Sequence, residues 1–407
     1  MMEPAEETSC RCCVVGGGPS GMMLGLLLAR AGIDTVVLEK HADFLRDFRG
    51  DTIHPSTLEV MAELGLLEKF LLRPHDEARV LRGEIGGETV TVADFSHLPT
   101  RCKFIALMPQ WHFLDFLAEE AQRLPRFRLL RETEAVSLMQ EETRVAGVVA
   151  QASSGALRIR ADLVIGCDGR HSTLRQAAGL RSRDLGAPID VLWMRLSRRK
   201  DDPAQPLGRF RAGHILVQLD RGDYWQCAFV IAKSGFEALR AQGIAQFRQQ
   251  LAAIAPPLAE RVEELRSWDQ VKLLTVAVDR LERWHRPGLL LIGDAAHAMS
   301  PIGGVGINLA IQDAVASANL LAPWLASHQG PVPEAVLAQI ERRRRFPTRA
   351  MQRLQVLIQN RVIGRVMASS GTLSMPLLLK LLQRFPVLRR LPARIVGMGF
   401  RPEHIRI

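Results

Sequence analysis

A chain of 407 residues, 47% apolar and 24% charged, is long enough for two closely packed domains and too apolar to be disordered. Its net charge of +10 suits an anionic small molecule, nucleic acid or an acidic membrane surface, but no zinc-finger spacing or aromatic-studded basic strand supports nucleic acid. Six cysteines at this length argue against a disulfide scaffold, no ligand spacing suggests a metal, and the polar, acidic stretch from 1 to 8 is unlike a signal peptide, so a cytoplasmic protein is expected.

In chain order, an apolar strand, Arg11–Val15, runs into Gly16-Gly17-Gly18-Pro19-Ser20-Gly21 and a helix over Pro19–Ala31. Gly32 ends that helix, and a second strand, Asp34–Leu38, finishes at Glu39. This is a right-handed βαβ unit. In Gly16-x-Gly18-x-x-Gly21 the first glycine permits a tight turn and the second lets the backbone approach a pyrophosphate. The third allows close strand–helix packing, with the helix N-terminus facing the phosphates. Glu39 stands where a carboxylate accepts hydrogen bonds from a ribose diol.

A helix over Pro55–Leu64 follows, stopped by Gly65. The pattern then changes to a hairpin, Arg79–Phe95, around Gly86-Gly87. A further apolar strand, Ala161–Gly166, ends in the acidic turn Cys167-Asp168-Gly169-Arg170 and opens a helix, and the nucleotide-type pattern resumes at Val271. Strand-like runs from Val191 to Lys233 are broken at Gly208, Gly213 and the Asp220–Asp223 turn. Trp193, Phe210, Trp225 and Phe229 are candidates to line a pocket for a lipophilic aromatic substrate, although alternation alone leaves open which of them face inward. The strand Leu289–Ile292 ends in Gly293-Asp294-Ala295-Ala296-His297 and continues through Ser300–Asn308 to Asp313. Its glycines leave room for a flat ring to press on backbone, and the helix starting near Gly306 aims its positive end there.

A long helix over Pro333–Met367 and an apolar, basic tail from Pro376 complete the pattern. The tail reads either as a helix docked on its own domain with solvated arginines or as a contact for a membrane surface or hydrophobic partner. The expected division is a discontinuous cofactor domain (1–75, 100–182 and 272–332), a β-rich substrate domain (76–99 and 183–271) and a C-terminal helical segment (333–407).

Taken together and in this order, the three motifs resemble the single-component (group A) flavoprotein monooxygenases, the p-hydroxybenzoate hydroxylase-like enzymes, over nearly the whole chain. The compact length is similar to the branch containing ubiquinone-pathway hydroxylases. The resemblance implies an α/β fold: a Rossmann-like FAD-binding domain with an inserted β-rich substrate domain and a C-terminal helical segment. It implies that Gly16, Gly18, Gly21, Glu39 and Lys40 hold the ADP half of FAD, with Val136 at the adenine. Arg49 would lie along the cofactor and help receive NADPH or NADH, and Gln110 would meet the ribityl or phosphate region. Asp168 and Asp294 would bind the cofactor at two strand ends. The backbone of Gly303, Gly304, Val305, Gly306, Ile307 and Asn308 would meet the isoalloxazine, with Pro301 beside its reacting edge.

By the same resemblance, NAD(P)H reduces FAD transiently, dioxygen forms a C4a-hydroperoxide, and a lipophilic aromatic, quinone-type or quinolone-type substrate is hydroxylated or epoxidised. Arg49, Pro301 and His54 are the candidate catalytic residues. A flavin-dependent reductase or dehydrogenase is the alternative on the same fold. The single tyrosine, Tyr224, cannot supply the tyrosine pair that deprotonates phenols in some relatives. A monomer or homodimer is expected, with no metal.

Overall fold

The computed structural model describes residues 6–45, 52–202, 207–371 and 373–407. The first strand spans Glu6–Val15, and its last four residues are buried because the strand sits inside a parallel sheet covered on both faces. Across that sheet the order is His285–Arg286, Leu289–Leu291, Gly155–Gly166, Glu6–Val15, Thr35–Leu38 and Phe127–Leu130. Along this order the pairs are parallel except His285–Arg286 with Leu289–Leu291, and two further strands complete the eight: Arg144–Ala152 antiparallel to Gly155–Gly166, and Glu134–Glu141 antiparallel to Arg144–Ala152. The helices Pro19–Arg30, Gln110–Gln122 and Gly306–Ser327 pack with it into the largest apolar core. Gly306–Ser327 is long and apolar enough to cross a membrane, but it is mostly buried as a core helix. All six cysteines are buried free thiols.

A second sheet has seven strands in the order Lys272–Leu274, Ile189–Ser197, Tyr224–Ala232, His214–Asp220, Leu207–Arg211, Val80–Ile85 and Glu88–Asp94. It thus joins two stretches of sequence far apart in the chain. The hairpin Val80–Ile85 to Glu88–Asp94 turns on Gly86 and Gly87, whose φ values of 60° and 87° are those a two-residue type I′ loop demands.

The sheet has two unlike faces, because successive side chains alternate. Leu192, Met194, Trp225, Cys227 and Phe229 pack under the helix Ile244–Ile254. On the other face Ile189, Ile215 and Val230 meet Ile302, Ile363 and Val366, so this face turns toward the Pro301–Gly304 loop.

The long C-terminal helix differs from expectation in two respects. Glu334–Ile358 is α-helical, then one π-helical turn, Gln359–Ile363, leads into Gly364–Ala368. Its buried stripe is also largely polar: Glu341, Arg344, Thr348, Gln352, Gln355 and Gln359 face inward while Leu357 is exposed. A polar stripe is buried where its groups find partners, and those of Gln352, Gln355 and Gln359 lie largely in the loop that follows Leu289–Leu291.

Candidate active site

At the nucleotide end, the glycines are required sterically. Gly16 has φ 105°, and a Cβ there would stand 2.4 Å from the Cys167 carbonyl oxygen. A Cβ on Gly21 would fall 1.9 Å from the Gly16 carbonyl oxygen. Gly18, by contrast, has nothing within 4 Å of its Cβ position and leaves an open cradle at the N-terminus of Pro19–Arg30. Glu39 is fixed at the next strand end, its two oxygens accepting from the N–H groups of Gly17 and His41 at 3.0 Å each. Lys40 is exposed and pairs at 3.7 Å with Glu134, two residues from the exposed Val136. Arg49 lies outside the described residues.

The second acidic strand end carries an unsatisfied atom. Asp168 Oδ2 accepts from the Leu174 N–H at 3.1 Å, while the buried Oδ1 has no hydrogen-bond partner. Burial raises this carboxyl above its ordinary value, opposed by the Ser172 hydroxyl and the Leu174 N–H. The following arginine bridges to the third strand end: Arg170 Nη2 lies 3.5 Å from Asp294 Oδ2, and Asp294 stays one-third exposed. Gln110 starts the helix Gln110–Gln122 and is half-buried.

At the flat end, Gly303 and Gly304 have φ 77° and 63°, so the Pro301–Gly304 turn presents backbone rather than side chain. A Cβ on Gly304 would meet Thr52 Oγ1 at 2.4 Å, and that hydroxyl donates to the Gly304 carbonyl at 3.0 Å. Asn308, in the first turn of Gly306–Ser327, ties the same two segments together. Its Oδ1 accepts from the His54 N–H and the Thr57 hydroxyl at 2.8 Å each, and its Nδ2 donates to the Thr52 and Gly304 carbonyls at 3.3 Å.

His54 does not fit the role of a substrate base. The ring is fully buried and its Nδ1 lies 2.7 Å from the Val396 carbonyl, so Nδ1 carries the proton and Nε2 is a buried nitrogen without a partner. Burial lowers its pKa from 6.5 to about 4, against the Val396 hydrogen bond. The neutral ring is therefore a link between this turn and the C-terminal helix. Between pH 6.5 and 4 the unfolded chain takes up a proton that native His54 refuses, so stability falls with pH at about 1.4 kcal/mol per unit. His54→Gln should flatten that slope in urea titrations at pH 7 and pH 5. An unchanged slope would show that His54 titrates normally.

A ladder of glutamines braces the loop from behind. Gln352 Nε2 donates to the Asp279 and Ala298 carbonyls at 2.7 and 3.1 Å. Gln355 accepts from the Ser300 N–H at 3.2 Å and donates to the Ser300 and Ile302 carbonyls at 2.9 Å each. Gln359, opening the π-helical turn, donates to Ser300 Oγ at 2.8 Å. π-Turns recur at functional sites, and here the turn also delivers Ile363 to the inner face of the second sheet.

His297, beside Asp294 in sequence, belongs to a separate buried network. Its Nε2 lies 2.6 Å from Asp313 Oδ2, which also accepts from the Gly293 N–H at 3.2 Å. Arg344 Nε donates to Asp313 Oδ1 at 2.8 Å, and Arg344 Nη1 reaches Glu403 at 3.3 Å. Burial pushes Asp313 up, but His297 and Arg344 outweigh it and hold the carboxyl below 3.8.

The four aromatic candidates separate by face. Phe210 packs with Ile302 and Val230, and Trp193 with Val191, Ala228 and Val217, on the face that includes the loop contact. Trp225 and Phe229 are corrected: they lie on the opposite face under Ile244–Ile254, Trp225 Nε1 donating to Asp202 at 2.8 Å and Phe229 packing edge-on against Phe247 at 5.3 Å. Arg195 stacks over the ring of Tyr224 at 5.0 Å. The open Gly18 cradle, the unpartnered Asp168 oxygen and the positive-φ Gly303–Gly304 turn fit FAD.

Known proteins agree with this geometry. Residues 9–354 match the family described as an FAD-binding domain. The chain is 36% identical over 400 residues to 6-methylpretetramide 4-monooxygenase of Streptomyces rimosus, covering 96% of this chain and 93% of the relative. It is 30% identical over 341 residues to rifampicin monooxygenase of Streptomyces venezuelae, covering 80% of this chain and 66% of the relative. The solved structure of OxyS anhydrotetracycline hydroxylase from Streptomyces rimosus superimposes with TM-score 0.73 at 25% identity, over 96% of this chain and 76% of that one. Motif, geometry and kinship converge: the chain belongs to the FAD-binding-domain family and is an FAD-dependent aromatic monooxygenase.

Proposed function

We propose that this enzyme is a single-component, group A-type hydroxylase of the cytoplasm that uses NADPH or NADH as a transient reductant and places one oxygen atom on a fused aromatic substrate of the polyketide kind. The observation that carries the substrate class is the similarity over nearly the full length to an enzyme named for 6-methylpretetramide. Bound FAD supplies the electron carrier and the dioxygen-activating ring.

The chain's own part is positioning and charge control. The N-terminus of Gly306–Ser327 places partial positive charge beside the Gly303–Gly304 backbone, where it stabilises negative charge on a reduced ring. Pro301, held through Ser300 and Ile302 by Gln355, borders that edge. Phe210 and Trp193 provide an apolar wall on the sheet face that meets the loop, which would exclude water there. Arg170 and Asp294 would hold the polar middle of the cofactor, and Arg49 would help receive the pyridine nucleotide. With Tyr224 stacked under Arg195, phenol activation falls to another group, to a water or to a substrate that is already nucleophilic. A monomer or homodimer suffices for this chemistry.

The test is NAD(P)H oxidation by the FAD-loaded protein in oxygen-18 gas across polycyclic phenols, quinols and alkyl-quinolones, with products weighed by mass spectrometry. One labelled atom in a polycyclic phenol is the expected result. Turnover without label would make the enzyme a reductase or dehydrogenase, and label only in quinols or quinolones would remove the polyketide assignment.

A further inference from the structure

Two short helices follow the π-turn segment, Leu377–Arg384 and Arg390–Met398, and both are amphipathic. Their inner sides rest on the hairpin strand Glu88–Asp94 and its neighbours: Leu382 and Ala393 are buried, and Gln383 Nε2 donates to the Thr89 carbonyl at 3.3 Å. Their outer side is left bare. Leu377, Leu378, Phe385, Val387 and Leu391 are exposed by 74, 68, 52, 64 and 65%. Scattered exposed leucines need no explanation, but a contiguous run of this kind marks a contact surface.

The charge around this face indicates what covers it. Residues 376–402 contain Lys380, Arg384, Arg389, Arg390, Arg394 and Arg401 and not one Asp or Glu. Arg389 is folded back onto the Leu382 and Gln383 carbonyls, and Arg390 approaches His97 at 3.4 Å. The carboxylates on the strand beneath are Glu88 and Asp94, and Asp94 is engaged by the Ser96 N–H at 3.0 Å. Lys380, Arg384 and Arg394 remain exposed beside the leucines.

A second copy of this chain would bring the same positive charge against itself, since a two-fold interface pairs a patch with its own image. Helices of 8 and 9 residues are too short to span a bilayer. Apolar side chains flanked by Lys and Arg on short helices suit the boundary between acyl chains and anionic headgroups. The location adds a reason for such contact. Leu391 and Val396 share one helix, ~7.5 Å apart along its axis, and the Val396 carbonyl receives His54 beside the flavin loop.

We propose that the face formed by Leu377–Arg394 docks peripherally on an anionic phospholipid surface, with its leucines in the acyl boundary and Lys380, Arg384 and Arg394 at the headgroups. Docking turns the loop end of Arg390–Met398 toward a phase in which a lipophilic aromatic substrate concentrates. It is independent of which substrate is oxygenated.

The experiment is co-sedimentation of the full, FAD-loaded chain with phosphatidylcholine vesicles, with and without phosphatidylglycerol. It compares the parent with Leu378→Ser/Leu391→Ser and with Lys380→Glu/Arg384→Glu, whose folds are checked by melting and FAD content. Binding to phosphatidylglycerol vesicles that weakens with salt, falls about tenfold or more on charge reversal and is lost with the leucine variant is expected. No binding to those vesicles, or binding indifferent to both variants, would overturn the proposal. So would a dimer that the leucine variant dissociates, which would assign the face to a second copy.

Discussion

Arg344→Met is expected to destabilise the protein by about 3 kcal/mol, because it takes the guanidinium from buried Asp313, while Glu403 keeps its pair with Arg343. Asp313 and Glu403 are essentially inaccessible to solvent, and Arg344 lies between them. Methionine fills much the same volume, so the loss is electrostatic and not a cavity. Urea midpoints of the apoprotein would measure it. A loss under 1 kcal/mol would mean that His297, water or protonation already compensates Asp313. Arg344→Met/Asp313→Asn should recover part of the loss, since it removes the stranded charge.

The same substitution should loosen FAD. Asp313 accepts from the Gly293 N–H as well as from Arg344 and His297, so its carboxylate sets the position of the loop bearing Asp294. The pH dependence follows from the depressed pKa. Its stabilising contribution is full above the ordinary carboxylate value of 3.8 and disappears as pH falls through the lower native value. Acid should therefore release cofactor and unfold the chain in one transition.

The second large effect separates two glycines of one motif. Gly21→Ala would place a methyl 1.9 Å from the Gly16 carbonyl oxygen, with the Cys167 side chain 3.2 Å away, so strand and helix must part. The apoprotein should lose ~2 kcal/mol or more, the range of core overpacking. Gly18→Ala meets nothing within 4 Å, and its φ of −73° is ordinary for alanine. That variant should fold with unchanged or slightly raised stability yet bind FAD about a hundredfold more weakly, a loss of ~2.7 kcal/mol if the methyl occupies the pyrophosphate cradle. Melting curves with and without FAD would separate the two. Equal behaviour of the two alanine variants would show that Gly18 does not face the cofactor.

What could be read from the sequence was backbone geometry. Gly16, Gly21, Gly86 and Gly87 announce positive φ or close approach, and apolar runs ending at Glu39, Asp168 and Asp294 announce parallel strands with functional ends. Which face of a strand turns inward was not readable, because it depends on where Ile244–Ile254 packs. Trp225 and Phe229 went to that helix for this reason. The Gln352–Gln355–Gln359 stripe has the spacing and polarity of a solvated helix face, and only the loop packed on it reveals otherwise. His54 meets Val396 across 342 residues of chain, a contact that leaves no local signal. The adjoining Arg344 pattern, four arginines in a row at 342–345, likewise reads as surface until Asp313 and Glu403 flank one of them.

The network around Arg344 also bears on the order in which the enzyme is made. A nascent chain that has displayed residues 6–166 already carries the glycine turn, Glu39 and two of their neighbouring strands. The loop at Gly293 is synthesised much later, and its anchor Asp313 is neutralised by an arginine 31 residues on. That arginine is in turn matched by a glutamate 59 residues further. Until residue 403 has left the ribosome, the half of the cleft that meets the ring lacks its final tether. Cofactor capture thus waits on residue 403, and ribosome-bound chains halted before that point should fold their first sheet without retaining flavin.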